Sequence, residues 1–167
     1  GAFTVSVILA SQSPRRRELL ERMGIAEFNI IPAVGEEKAR PGLTPAQLVE
    51  ELSRQKAAEV AGKARPEDVV IAADTVVALD GKVLGKPHSE DEAFAMLSSL
   101  QGRQHQVYTG LTVRRGERSA TLHEMAQVTF RPMTEEEIRA YIATGEPMDK
   151  AGAYGIQGYG ALLVEGI

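Results

Sequence analysis

The sequence predicts an α/β protein, a mixed and twisted sheet flanked by helices. Three observations carry that prediction. Short apolar runs with β character alternate with amphipathic stretches at helical spacing. Most of those helical stretches open on a Ser or Thr capping signature. The later apolar runs come as neighbours joined by a short turn, which adds antiparallel pairing to an otherwise alternating order. With 167 residues, 43% of them hydrophobic and 25% charged, the chain suffices for one well-buried core, so a single domain over residues 1–167 is expected.

The elements follow in order. VSVILAS, residues 5–11, reads as the first strand. Ser13 then reads as an N-cap and Pro14 as the first residue of a helix over 14–23, closed by Gly24. FNIIP is a second, short strand, and a polar loop through Glu36, Glu37 and Pro41 leads to Thr44-Pro45-Ala46-Gln47, a capping box that opens a helix running to about residue 62. DVVIAADTVVALDGKVLGKP predicts a buried strand and a hairpin turning at Asp80-Gly81. Ser89-Glu90-Asp91-Glu92 and Thr134-Glu135-Glu136-Glu137 open two more helices, ending near Gly102 and Gly145. Between them, HQVYTGLTVRRG and TLHEMAQVTF predict paired strands turning at Arg115-Gly116.

Charge and composition remove several classes of function. A formal net charge of -4 and a sequence pI near 5.5 argue against general affinity for nucleic acid or an anionic membrane. The chain has no cysteine, so it holds no disulfide framework, no thiolate nucleophile and no Cys-type zinc site, and a cytoplasmic setting is expected. No apolar stretch approaches spanning length.

Some charges sit where local structure disfavours them. Arg15, Arg16 and Arg17 fall in the first turn of the first helix, where the dipole prefers carboxylates; each cation there costs about 0.3–1 kcal/mol unless an anion compensates. Arg17 precedes Glu21 by four residues and reads as an exposed pair, whereas Arg15 and Arg16 align with Leu19, Leu20 and Met23. With Ser11 and Ser13 nearby, this turn fits a phosphate better than two arginine stems lying over apolar surface. Lys56 lies on the apolar face of Val49, Leu52 and Val60, where snorkelling to water is the simpler account and an anion the sharper one. Asp74 ends the apolar run 69–73, the expected carboxyl end of a central strand, where open α/β sheets bind ligands; ordinary turn chemistry would also place it there.

DKAGAYGIQGYGALLVE is rich in glycine yet carries neither a P-loop nor a dinucleotide fingerprint. Ser53-Arg54-Gln55-Lys56 matches Ser-x-x-Lys without the motifs that would make it catalytic. The three histidines lack metal-site spacing, so the carboxylates point to a hard cation, Mg²⁺ or Mn²⁺.

LASQSPRRRELL, the Glu-Glu loop, LSRQKA, ADTVV, LGKP, HQVYTG, TFRPMTEEEI and GEPMDKAGAYGIQGYGALLVE, in that order along the chain, resemble the Maf family of nucleoside triphosphate pyrophosphatases. The resemblance implies a two-lobed fold with a central cleft, related to the inosine triphosphate pyrophosphatases. It assigns phosphate binding to Ser11, Arg15, Arg16, Lys56 and Lys86, metal or acid-base roles to Glu37 and Asp74, and base selection to Thr75 and Gln157, with Arg15 sharing in it. It also implies that the family's C-terminal end is missing after VEGI. The implied reaction is metal-dependent hydrolysis of dTTP and UTP to the monophosphate and pyrophosphate, with house-cleaning of non-standard nucleotides beside it; the expected setting is the cytoplasm and the expected partner a second copy of the chain, as a homodimer. Two alternatives stand beside it: a 7-methyl-GTP pyrophosphatase, and a nucleotide-sensing regulator of cell division without catalysis. A carboxamide such as Gln157 can pair with the imide N–H and carbonyl of uracil or thymine, and the chain lacks the tryptophan that would best hold a cationic 7-methylguanine.

Overall fold

A computed structural model describes residues 6–11, 14–25, 28–35, 40–149, 151–154 and 158–167. The elements are β1 (Val7–Leu9), α1 (Pro14–Arg22), β2 (Asn29–Ile30), α2 (Pro45–Ala61), β3 (Val69–Leu79), β4 (Lys82–Leu84), α3 (Glu90–Leu100), β5 (Gln104–Arg115), β6 (Arg118–Phe130), α4 (Glu135–Ala143), three short 3₁₀ turns over Glu146–Asp149, Ala151–Ala153 and Gly158–Leu162, and β7 (Val164–Gly166). The sheet runs β2-β1-β3-β5-β6-β7, with β4 hydrogen-bonded to β3 off that path. β1 is parallel to both β2 and β3, while β3–β4 and β6–β7 are antiparallel, so the mixed sheet expected from the sequence is the one found.

Local chemistry accounts for most boundaries. Thr44 accepts from the Gln47 amide at 3.2 Å and Gln47 Oε1 accepts from the Thr44 amide at 3.0 Å, which satisfies two otherwise orphaned donors at the start of α2. Thr134 and Glu137 make the same exchange, both bonds at 3.2 Å. Ser89 caps α3 by accepting from Glu92 N at 3.0 Å. Gly24, at φ +85°, ends α1 in the left-handed region. Asp80 and Gly81, at φ +51° and +79°, make the tight turn between β3 and β4, as a two-residue hairpin requires.

Two expectations need correcting. The central strand does not end at Asp74; β3 continues through Thr75 to Leu79, because an apolar run resumes at Val76 and is buried throughout to Leu79. Met23 is 73% exposed and so shares no buried face with Leu20, because the helix stops at Arg22 and the next residue leaves the helical register.

The chain divides into two compact units, residues 1–74 with 109–123 and residues 75–108 with 124–167, so β3, β5 and β6 each contribute to both. In the first, α2 lies on the sheet through Ala57 and Val60, which join Ile8, Ala10, Val70 and Ala72 in one apolar cluster. Each fully buried valine contributes roughly 1.5–3 kcal/mol. A side chain at Gly110 of β5 would land on the Val49 carbonyl, so only glycine lets the backbone of α2 come this close to the sheet. In the second, α3 and α4 cover Val77, Leu97, Leu100, Val128, Phe130 and Ile138.

Candidate active site

The first unit assembles the charged centre. Side chains two apart on a strand share a face, so Asp74 points the same way as Val70 and Ala72, toward the helix that buries them. Lys56 of α2 reaches that face from above and its Nζ donates to Asp74 Oδ1. Their side chains are only 21% and 10% exposed, so a full ion pair stands at the polar end of an apolar layer. Of the two fates open to Lys56 in the sequence, the anion prevails over snorkelling. Removing either partner would take a directly bonded opposite charge from a largely buried group, the costly change for an ion pair.

Ser11, 7% exposed, stands two residues past the end of β1, and the residue between them, Ala10, donates to Ile71 O at 2.9 Å. Thr75 follows Asp74 on β3 and is half-buried. Lys86 belongs to the second unit, exposed on the turn after β4. Arg15 and Arg16 stand in the first turn of α1, but their side chains lie outside the described residues, as do Glu37, its neighbour Glu36, and Gln157. Arg17 does form the exposed pair with Glu21, at 3.5 Å.

Ser53 is held away from any nucleophilic role. It is fully buried and donates to Glu50 O at 2.9 Å, which leaves it to accept from Thr112 at 2.7 Å, and Thr112 in turn to accept from Thr121 at 2.9 Å. The Ser-x-x-Lys match is thus a hydroxyl chain tying α2 to β5 and β6.

Other polar contacts, buried and half-buried, stand in both units. Asp68, 5% exposed, accepts from Arg65 N and Nη2, each at 3.0 Å, and those hydrogen bonds hold its carboxyl below the usual carboxylate range. Glu59 of α2 accepts from the Val34 and Gly35 amides at 2.8 and 2.5 Å. In the second unit His105 has no exposure and meets Tyr154 Oη through Nε2 at 2.6 Å, both rings packing edgewise on Phe130. Burial pushes its imidazole down to about 4 and the Tyr154 phenol upward. A pocket of about 360 Å³ in the first unit, lined by Glu51, Arg54, Gln55, Thr112, Arg114 and Ser119, includes none of the residues singled out by the sequence.

Among the described residues no three His, Asp or Glu side chains gather as a preformed metal cage. The donor chemistry still fits Mg²⁺, which is commonly held by one or two carboxylates together with phosphate oxygens; Asp74 supplies one such carboxylate.

A serine beyond the first strand, a helix opening on arginines, and a lysine of α2 paired with a carboxylate of the adjacent strand β3 stand in one α/β unit. Residues 6–167 match the family of Maf-like proteins, and the chain belongs to that family. A protein of Carboxydothermus hydrogenoformans named dTTP/UTP pyrophosphatase is 52% identical over 162 residues, 96% of this chain and 86% of its own length. Proteins of the same name from Bacillus velezensis and Bacillus pumilus are 51% and 50% identical, covering 99% and 96% of this chain and 86% and 84% of theirs. A distant likeness to a solved nucleoside-triphosphatase / dITP/XTP pyrophosphatase of Mycobacterium abscessus, 15% identical with a TM-score of 0.45 over 77% of this chain and 76% of the other, carries no argument.

Proposed function

We propose that this chain hydrolyses nucleoside triphosphates, dTTP and UTP in preference, to the monophosphate and pyrophosphate. The observation that carries the reading is the largely buried Lys56–Asp74 pair, a cation and a carboxylate held together where the apolar layer ends. An arriving triphosphate offers the Lys56 ammonium a second anion, so the lysine can turn to phosphate while Asp74 becomes available as a base. Water attacks the α-phosphorus, Asp74 takes its proton, the α–β anhydride bond breaks, and pyrophosphate leaves. Ser11, Arg15, Arg16 and Lys86 hold the phosphates, and Thr75, Gln157 and Arg15 select the base. Glu37 and Asp74 would hold a Mg²⁺ or Mn²⁺ ion, which when bound polarises the phosphate oxygens and neutralises charge on the leaving group.

The two compact units act together as one domain in this reading. Its setting is the cytoplasm and its partner a second copy of the chain. No described helix is long and apolar enough to cross a membrane. Assaying dTTP, UTP, CTP and 7-methyl-GTP with Mg²⁺, while reading both phosphate and pyrophosphate, tests the proposal. Pyrophosphate from dTTP and UTP supports it; orthophosphate as the first product overturns the reaction, and a preference for 7-methyl-GTP overturns the base selection. Sedimentation of the purified chain tests the homodimer.

A further inference from the structure

The run HQVYTG ends at Gly110, on β5. A Cβ there would overlap the carbonyl group of Val49 and press on the Glu50 amide nitrogen, so helix and sheet meet backbone to backbone. Backbone cannot swing aside as the end of a side chain can. Any residue but glycine therefore lifts α2 from β5, by on the order of 1 Å to restore an ordinary contact distance. Lys56 lies seven residues beyond Val49, two turns, so it stands on the same face of α2, about 10 Å along the axis from this contact. Its partner Asp74 stands on β3, beside β5 in the same sheet. Helix and sheet thus carry one member each of the ion pair, and the gap between them sets how the two meet.

We propose that Gly110 is a positioning residue for the reaction: by letting the backbone of α2 rest on β5, it sets the height at which the Lys56 ammonium meets the Asp74 carboxylate. The inference rests on the reading of Asp74 as the base given above. Gly110 acts indirectly, through the helix as a stiff rod. A misplacement of about 1 Å can cost about a hundredfold in rate, and the flexible lysine stem takes up part of the lift, so the expected loss is about tenfold.

The test compares variants of the full chain by kcat and KM for dTTP with Mg²⁺, each corrected for the folded fraction at the assay temperature. Gly110→Ala is expected to lower kcat about tenfold per folded molecule. KM stays within about twofold, because Arg15, Arg16 and Lys86 lie outside α2, and that split marks an interaction lost in the transition state. Val128→Ala opens space in the core of the second unit, so it loses stability without lifting α2 and is expected to keep both constants within about twofold. Ser53→Ala carries the same expectation, since it removes a bond between α2 and β5 and adds nothing beneath the helix. Should Gly110→Ala fail to fold, Ala57→Val takes its place, for it lifts the same helix from a fully buried position one residue past Lys56. Asp74→Asn reports on the reading itself. If Asp74→Asn loses turnover while the lifted helix follows Val128→Ala in kcat, the inference fails and the reading stands. If Asp74→Asn turns over dTTP as the parent does, the base is elsewhere and the inference falls with the reading.

Discussion

The two compact units share three strands and yet are finished inside with different chemistry. Of the six buried polar residues among those described, Ser11, Ser53, Asp68, Asp74 and Thr112 belong to the first unit and only His105 to the second. The first closes around an ion pair, a hydroxyl chain and a clamped loop; the second closes around Phe130, Leu97, Leu100 and Ile138 with one imidazole among them. Buried polar groups are expensive unless every one is paired, and one that is matched by a charge a ligand can claim is a place where binding energy can act. The difference sets a unit that buries an ion pair apart from one whose buried interior is almost wholly apolar.

The largest expected effect breaks the charged side of that contrast. Asp74→Asn keeps the shape and removes the base, so kcat should fall at least about a hundredfold, the lower end for a general base. Asp80→Asn is the control in the second unit: its carboxylate is exposed and pairs with Arg103 at 2.8 Å, and its loss should leave kcat unchanged. Steady-state assays of the two variants side by side settle which carboxylate works.

Next comes packing in the first unit. Gly110→Ala forces a methyl group into the backbone of Val49, which cannot swing aside as a side chain can, and should cost about 3 kcal/mol by the upper range for overpacking. Chemical denaturation reads it directly.

The second unit answers to pH. His105 is neutral when folded, its pKa held at about 4 by burial, whereas the unfolded chain binds a proton there near the ordinary 6.5. Stability from this group is complete above about 6.5 and is lost as pH falls toward 4, amounting to about 2 kcal/mol by pH 4.5. The lowered carboxyls of Asp68 and Glu137 add a loss on the acid side of the ordinary carboxylate range. Thermal midpoints between pH 7 and 4.5 should flatten in the double variant His105→Phe with Tyr154→Phe, which removes the imidazole without stranding the phenol. The smallest effect is at Ser53→Ala, which removes one link of the hydroxyl chain and should cost about 1 kcal/mol with kcat unaltered, since Ser53 is not a nucleophile.

What could be read from the sequence was local. The Thr44–Gln47 and Thr134–Glu137 caps, the Asp80-Gly81 turn, the end of α1 at Gly24 and the exposed Arg17–Glu21 pair all depend on residues within four positions of one another. What escaped was set by distance along the chain. Lys56 meets Asp74 across 18 residues, Glu59 meets Gly35 across 24 and His105 meets Tyr154 across 49, and no spacing rule couples such pairs. Asp74 interrupts the apolar run as a strand end would, yet Lys56, 18 residues away, pairs with it and the strand runs on to Leu79. Charges out of place on apolar faces were the one long-range signal available, and at Lys56 and Asp74 that signal was sound.

The account turns on which phosphorus is attacked. Hydrolysis of dTTP by the purified chain in water carrying the heavy oxygen isotope, followed by mass spectrometry of both products, asks that question alone. Attack at the α-phosphorus puts the label in the monophosphate, with unlabelled pyrophosphate. Label in pyrophosphate or in orthophosphate would place the attack at the β- or γ-phosphorus and contradict it.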